Sequence, residues 1–73
     1  MKLYRLQDLR EMNFWTQTFV AEKLQISQRA YSHYENGTRE VPLDVLIKLS
    51  YLYNVSSDYL LGLTDNPIPY KPN

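Results

Sequence analysis

The sequence predicts an all-α domain of five short helices in which the second and third form a helix-turn-helix. Three observations support it. Gln17 to Gly37 reads as two short helices joined by a tight turn, the second with a polar outer face. Leu43, Leu46, Ile47, Ser50 and Tyr53 recur at the helical period and give a later segment one buried face. Helix-start residues (Thr16, Ser27, Ser56) and helix-stop glycines (Gly37, Gly62) punctuate the chain where these segments begin and end.

The first helix is expected from about Leu3 to Met12, with Leu6, Leu9 and Asn13 as a partial inward stripe flanked by Asp8 and Arg10. Thr16 is a good N-cap for the second helix, whose apolar stripe is Val20, Ala21 and Leu24. Ala21 matters most there, because two helices crossing closely leave room for only a methyl. Ile26 plugs the turn, Ser27 caps the third helix, Tyr31 and Tyr34 line its inner side, and Gly37 ends it. Thr38 to Val41 form a loop, Pro42 suits a first helical turn, and the fourth helix follows. Ser56 caps a short fifth helix closed by Gly62. Beyond Thr64 the segment DNPIPYKPN, with three prolines in nine residues, cannot be helical; it is either an arm or frayed. The expected division is therefore a domain over 1–65 and a Pro-rich tail over 66–73.

A chain of 73 residues allows one domain. It buries only about 60% of its unfolded surface, so its stability should be modest and dimerisation would help. With 44% hydrophobic and 22% charged residues the composition is globular, and no apolar run could span a bilayer. Neither an apolar leader nor a cleavage site follows Met1-Lys2, so a cytoplasmic protein is expected. Zero cysteines and a single histidine exclude a disulfide framework and argue against a metal site, and no residue pattern asks for a cofactor. Catalysis is not expected either. His33 adjoins Ser32, but neighbouring helix residues do not face each other, and both glycines end helices rather than cradle a phosphate.

Charge bears on the partner. Eight Lys and Arg balance eight Asp and Glu, with a pI near 6.5, which disfavours non-specific attraction to nucleic acid. Yet Arg29, His33, Thr38 and Arg39 cluster on or just after the third helix, while Asp44, Asp58 and Asp65 lie in the C-terminal half. A neutral molecule can present a positive face. The outward positions of the third helix are Gln28, Arg29, Ser32, His33 and Asn36, all able to hydrogen-bond base edges or phosphates.

Several short motifs occur in a telling order: Leu6, Leu9 and Arg10; Thr16-Gln17; Ala21-Glu22-Lys23-Leu24; Ile26-Ser27-Gln28; Tyr34-Glu35-Asn36-Gly37; Leu46-Ile47-Lys48-Leu49; Asn54-Val55-Ser56; and Asp58-Tyr59-Leu60-Leu61-Gly62. Together they resemble the lambda-repressor-like (Cro and phage-repressor, XRE-type) helix-turn-helix family from Leu3 to Asp65. The resemblance implies a compact five-helix, DNA-binding fold, and double-stranded DNA as the partner. It places Gln17 on a phosphate at the start of the second helix, the alternative being a solvated helix-start residue. Gln28, Arg29 and His33 would read base edges, and protonation of His33 would make binding pH-sensitive. Ser27, the cap of the same helix, is counted among the DNA-binding residues. Ser32, Asn36, Thr38 and Arg39 would hold phosphates. Arg10 and Glu35 would form a structural pair beneath that surface.

Departures from the family pattern are informative. Phe19 replaces the glutamate that usually closes a capping box with Thr16. Gln25 occupies the usual glycine of the turn, so it must accept a left-handed backbone, at about 1 kcal/mol, or open the turn. Tyr31 replaces Ile or Val, and its hydroxyl is expected to reach the rim, toward the DNA backbone. Trp15 takes the place of a core leucine. Phe14 and Phe19 stand where polar residues are common, and either mark a partner-binding patch or tuck against Trp15. Leu52, Tyr59, Leu63 and Ile68 either form a dimer seam or finish the monomer core.

Two functions follow. The first is a sequence-specific transcriptional regulator, a repressor binding a palindromic operator as a homodimer. The second is a protein-interaction module of antitoxin or antirepressor type, using the Phe14/Phe19 patch to bind a protein partner.

Overall fold

A computed structural model describes residues 2–69. Its helices are α1 (Arg5–Met12), α2 (Gln17–Leu24), α3 (Gln28–Asn36), α4 (Leu43–Tyr53) and α5 (Ser57–Leu61), with no strand among the described residues. None of these helices is long and apolar enough to cross a membrane.

Local chemistry sets most of the boundaries. The hydroxyls of Thr16, Ser27 and Ser56 accept from the backbone N–H of Phe19, Ala30 and Tyr59, each at 3.0 Å, satisfying an otherwise orphaned donor in the first turn of α2, α3 and α5. Gly37 ends α3 in the left-handed region (φ +80°), where a Cβ would also lie 2.7 Å from that of Lys2. Gln25 adopts the left-handed conformation too (φ +61°), so the turn stays closed and the strain is borne by a residue with a Cβ. Gln25→Gly is therefore expected to raise stability by up to about 1 kcal/mol, read as a higher urea midpoint at unchanged slope.

Four expectations are corrected. The first helix begins at Arg5, not Leu3, although Leu3 is buried and its carbonyl accepts from Leu6 N–H at 3.1 Å. Asn13 is not part of the inward stripe; it is the exposed C-cap of α1, and its side-chain amide donates to the Leu9 carbonyl at 2.8 Å. Pro42 is the N-cap of α4 and precedes its first turn. The buried face of α4 is Val45, Leu46, Leu49 and Tyr53, whereas Leu43 and Ile47 point to solvent. The last correction has a simple cause: α4 is apolar on nearly every side, so its period shows a helix without showing which side is inward.

The core runs through all five helices. Leu6, Val20, Leu24, Tyr31, Leu49 and Leu60 are its largest fully enclosed side chains, and Ala21 is buried on α2, which packs against α3 and α4. Each fully buried aliphatic contributes roughly 1.5 to 3 kcal/mol. The segment after α5 turns back across the domain. Ser56 N–H donates to the Pro67 carbonyl at 3.0 Å, and the Arg5 guanidinium donates to the carbonyls of Tyr59 (2.7 Å) and Thr64 (2.6 Å) and to the Asp65 carboxylate (2.7 Å). As far as Pro69 the segment is non-helical, as its prolines require, and it is held as an arm; the expectation for residues 70–73 lies outside the described residues.

Candidate nucleic-acid interface

The polar face of α3 is continued inward by a line of side chains. Gln28 Nε2 donates to Gln17 Oε1 at 2.7 Å, and Gln17 Nε2 donates to Glu35 Oε1 at 3.3 Å. Arg10 grips the same carboxylate with two bonds of 2.9 Å, from Nε to Oε2 and from Nη2 to Oε1, and places Nη1 on the Trp15 carbonyl at 3.0 Å. Polarity propagates outward along this line. A carboxylate only accepts, so Gln17 must turn its NH2 inward and its oxygen outward. Gln28 must then direct an N–H at that oxygen, leaving its own Oε1 and one N–H for a ligand.

Glu35 is buried, with 3% of its side chain exposed. Burial alone would push its carboxyl up, but Arg10 first, then the neighbouring Tyr31 hydroxyl and then Gln17 outweigh it and hold the carboxyl below its ordinary value. The same bond, chiefly, raises Arg10. The Arg10–Glu35 pair is thus present as the motif resemblance implied.

Tyr31 is where the sequence expectation fails. Its ring and hydroxyl are wholly buried, not at the rim. The hydroxyl is enclosed with that of Tyr53 near Glu35, a polar spot inside the domain, and neither hydroxyl meets hydrogen-bond geometry. Burial pushes both phenols up, so both remain protonated.

On the outer face Gln28, Arg29 and Asn36 are exposed, while Ser32 and His33 are half-buried. Arg29, and Arg39 just beyond the helix, make no bond to any described residue. His33 Nδ1 pairs with Thr38 Oγ1 at 2.7 Å, and that hydroxyl donates to the His33 carbonyl at 3.3 Å, folding the loop onto the end of α3. Asn36 donates to Ser32 Oγ at 3.4 Å. Ser27 lends its oxygen to the cap. Gln17, at the first turn of α2, is half-buried because Gln28 and Glu35 hold it from both sides. Gln17, Ser27, Gln28, Arg29, Ser32, His33, Asn36, Thr38 and Arg39 therefore all belong to α3, its flanks or the start of α2.

The aromatic pair is split. Phe19 tucks against Trp15 (centroids 5.0 Å apart), which stacks on Tyr53 (5.7 Å), and Lys23 Nζ lies 5.3 Å from the Phe19 ring. Phe14 alone is out in solvent, 95% exposed, with a left-handed backbone (φ +58°). The four residues offered as a seam are split as well. Leu52 and Tyr59 pack against the core, Tyr59 beneath the Arg5 guanidinium at 3.9 Å, and only Leu63 and Ile68 are exposed. Arg5 has no counterpart in the sequence reading; an isolated arginine near a chain start carries no local signal of its distant partners.

Five helices, with α2 packed on α3, Ala21 buried on α2 and a hydrogen-bonding face on α3, define a helix-turn-helix domain. A helix-turn-helix family model matches residues 6–60, and the chain belongs to that family, of the Cro and lambda-repressor (XRE) type. Among curated proteins it is similar to the HTH-type transcriptional regulators YobD, ImmR and AnsR of Bacillus subtilis (strain 168). Identity to YobD is 45% over 69 residues, covering 94% of this chain and 62% of YobD. Identity to ImmR is 50% over 58 residues (80% and 46%), and to AnsR 37% over 62 residues (85% and 53%). The chain spans about half the length of the curated relatives it matches.

Proposed function

We propose that this chain is a sequence-specific DNA-binding transcriptional regulator that reads double-stranded DNA through α3, as a homodimer on a palindromic operator inside the cytoplasm. The observation that supports it most is the oriented line from Glu35 through Gln17 to Gln28, which presents one acceptor and one donor on a preorganised amide. That pair matches the N6 and N7 edge of adenine, and the unpaired Arg29 beside it suits guanine. His33 adds a further base-edge group. Ser27, Ser32, Asn36, Thr38 and Arg39 take the phosphates that fix docking, and Gln17, whose amide NH2 is turned inward to Glu35, offers a phosphate its backbone N–H at the start of α2. The reading unit is 1–65, with 66–73 as its tail. Repression is preferred to activation because occluding polymerase needs only binding.

Selection of a random duplex library at near-physiological salt tests this, with Gln28→Ala/His33→Ala in parallel. The expected result is enrichment of a palindrome by the natural chain and at least about a tenfold loss of affinity for it in the double variant. No enrichment by either protein would defeat the reading.

A second reading, an interaction module of antitoxin or antirepressor type, is favoured by Phe14. A fully exposed aromatic side chain on a strained backbone adds no buried contact to the fold, so its value would lie in a protein partner. Loss of in-cell activity in Phe14→Ser, with Gln28→Ala/His33→Ala unaffected, would establish it over DNA reading.

A further inference from the structure

We propose that the outward face of α4, built from Leu43, Ile47 and Tyr51 and flanked by Asp44 and Lys48, is the surface on which a second copy of this chain docks. This rests on the homodimer reading above and says where the dimer forms, replacing the seam of Leu52, Tyr59, Leu63 and Ile68.

Leu43, Ile47 and Tyr51 are 71%, 44% and 81% exposed. Spaced four residues apart, they fall within about 80° of one another around α4, a continuous stripe. The helix buries its other side against α2 and α5, so no described residue covers this stripe. Scattered exposed apolar residues are ordinary; three in register on one helix face are an interface pattern.

The flanking charges identify the occupant. Asp44 and Lys48 are exposed, and neither has an ion-pair partner among the described residues. Taking Ile47 as reference, they lie about 60° and 100° around the helix on the same flank, about 4.5 Å before it and 1.5 Å after it along the axis. Now let two copies of α4 pack antiparallel about a two-fold axis through Ile47. That operation keeps each flank on its own side and reverses direction along the axis. Lys48 of one copy then comes within about 3 Å, along the axis, of Asp44 of the other, and the reciprocal pair forms at the same time. The two lysines lean apart, each toward the Asp44 of the other copy. Ile47 meets Ile47, and Leu43 of one copy comes against the groove that Ile47, Ser50 and Tyr51 of the other help to line. The patch is therefore complementary to itself in charge and in shape, which suits a copy of this chain rather than an unrelated protein.

The chain has no cysteine, so Ile47→Cys introduces a single thiol at the two-fold axis. Under mild oxidation Ile47→Cys is expected to give a covalent dimer, and Leu63→Cys, exposed elsewhere, to give none. By sedimentation equilibrium, Asp44→Lys should weaken the dimer about tenfold, and Asp44→Lys/Lys48→Asp should restore it. A natural chain that remains monomeric at high micromolar concentration overturns the proposal together with the homodimer reading. A dimer that neither cross-links at position 47 nor responds to the charge exchange overturns this surface alone. Binding of reduced Ile47→Cys to a single half-site duplex reports DNA reading separately. Cross-linking at 47 without half-site binding supports the surface and defeats that reading.

Discussion

Arg10→Ala is expected to lower stability by about 3 kcal/mol, because it leaves Glu35 as a buried carboxylate without its cation. For a domain of this size, whose total stability is roughly 4 to 11 kcal/mol at the usual value per residue, that is a large fraction. Gln17 remains as a neutral donor at 3.3 Å, too weak a partner to replace two charged bonds of 2.9 Å. Replacing both partners, as Arg10→Met/Glu35→Leu, should retain most of the stability, since the cost lies in the unpaired charge rather than in the lost pair. Urea unfolding at neutral pH measures both.

The same pair sets a pH dependence. Glu35 is held below its ordinary value when folded, so the unfolded chain binds the proton more readily. Its contribution is present above the ordinary carboxylate range and is lost as pH falls through the lower folded value. Glu35→Gln should therefore be less stable than the natural chain near neutrality, and its stability should change less between neutrality and strong acid. An unchanged acid profile in Glu35→Gln would place the acid sensitivity elsewhere.

Arg5→Ala is expected to cost about 2 kcal/mol and to expose the segment after Gly62 to proteases. One guanidinium holds a carbonyl of α5 and one near the start of that segment and covers the Tyr59 ring, so its loss leaves the carbonyls of Tyr59 and Thr64 short of a charged donor. The carboxylate that completes the clamp is fully exposed and screened, so Asp65→Ala should have little measurable effect. Comparing the two variants by urea unfolding and limited proteolysis separates the carbonyl bonds from the ion pair. Equal behaviour of the two would show that the ion pair, not the carbonyls, fixes the arm.

Read alone, the sequence specified the features whose causes are local. Thr16, Ser27 and Ser56 each satisfy a donor three residues on, and Gly37 and Gly62 end their helices for reasons of backbone sterics, so these boundaries were legible. The α2–α3 pattern showed the helix-turn-helix, and the motif resemblance brought Arg10 and Glu35 together across 25 positions. Tertiary structure decided what no local signal contains. The phase of α4 was open because leucine, isoleucine, valine and tyrosine surround it, and only packing against α2 and α5 chose Val45 and Leu49 over Leu43 and Ile47. The burial of the Tyr31 hydroxyl depended on finding Tyr53 and Glu35 beside it. The Arg5 clamp joins residues 54 to 60 positions apart, and the fixed orientation of Gln28 depends on a carboxylate that another helix neutralises. Caps and periods act over one turn of chain and are written in neighbouring residues, whereas helix rotation and long-range polar bonds depend on which surfaces meet once the chain has folded.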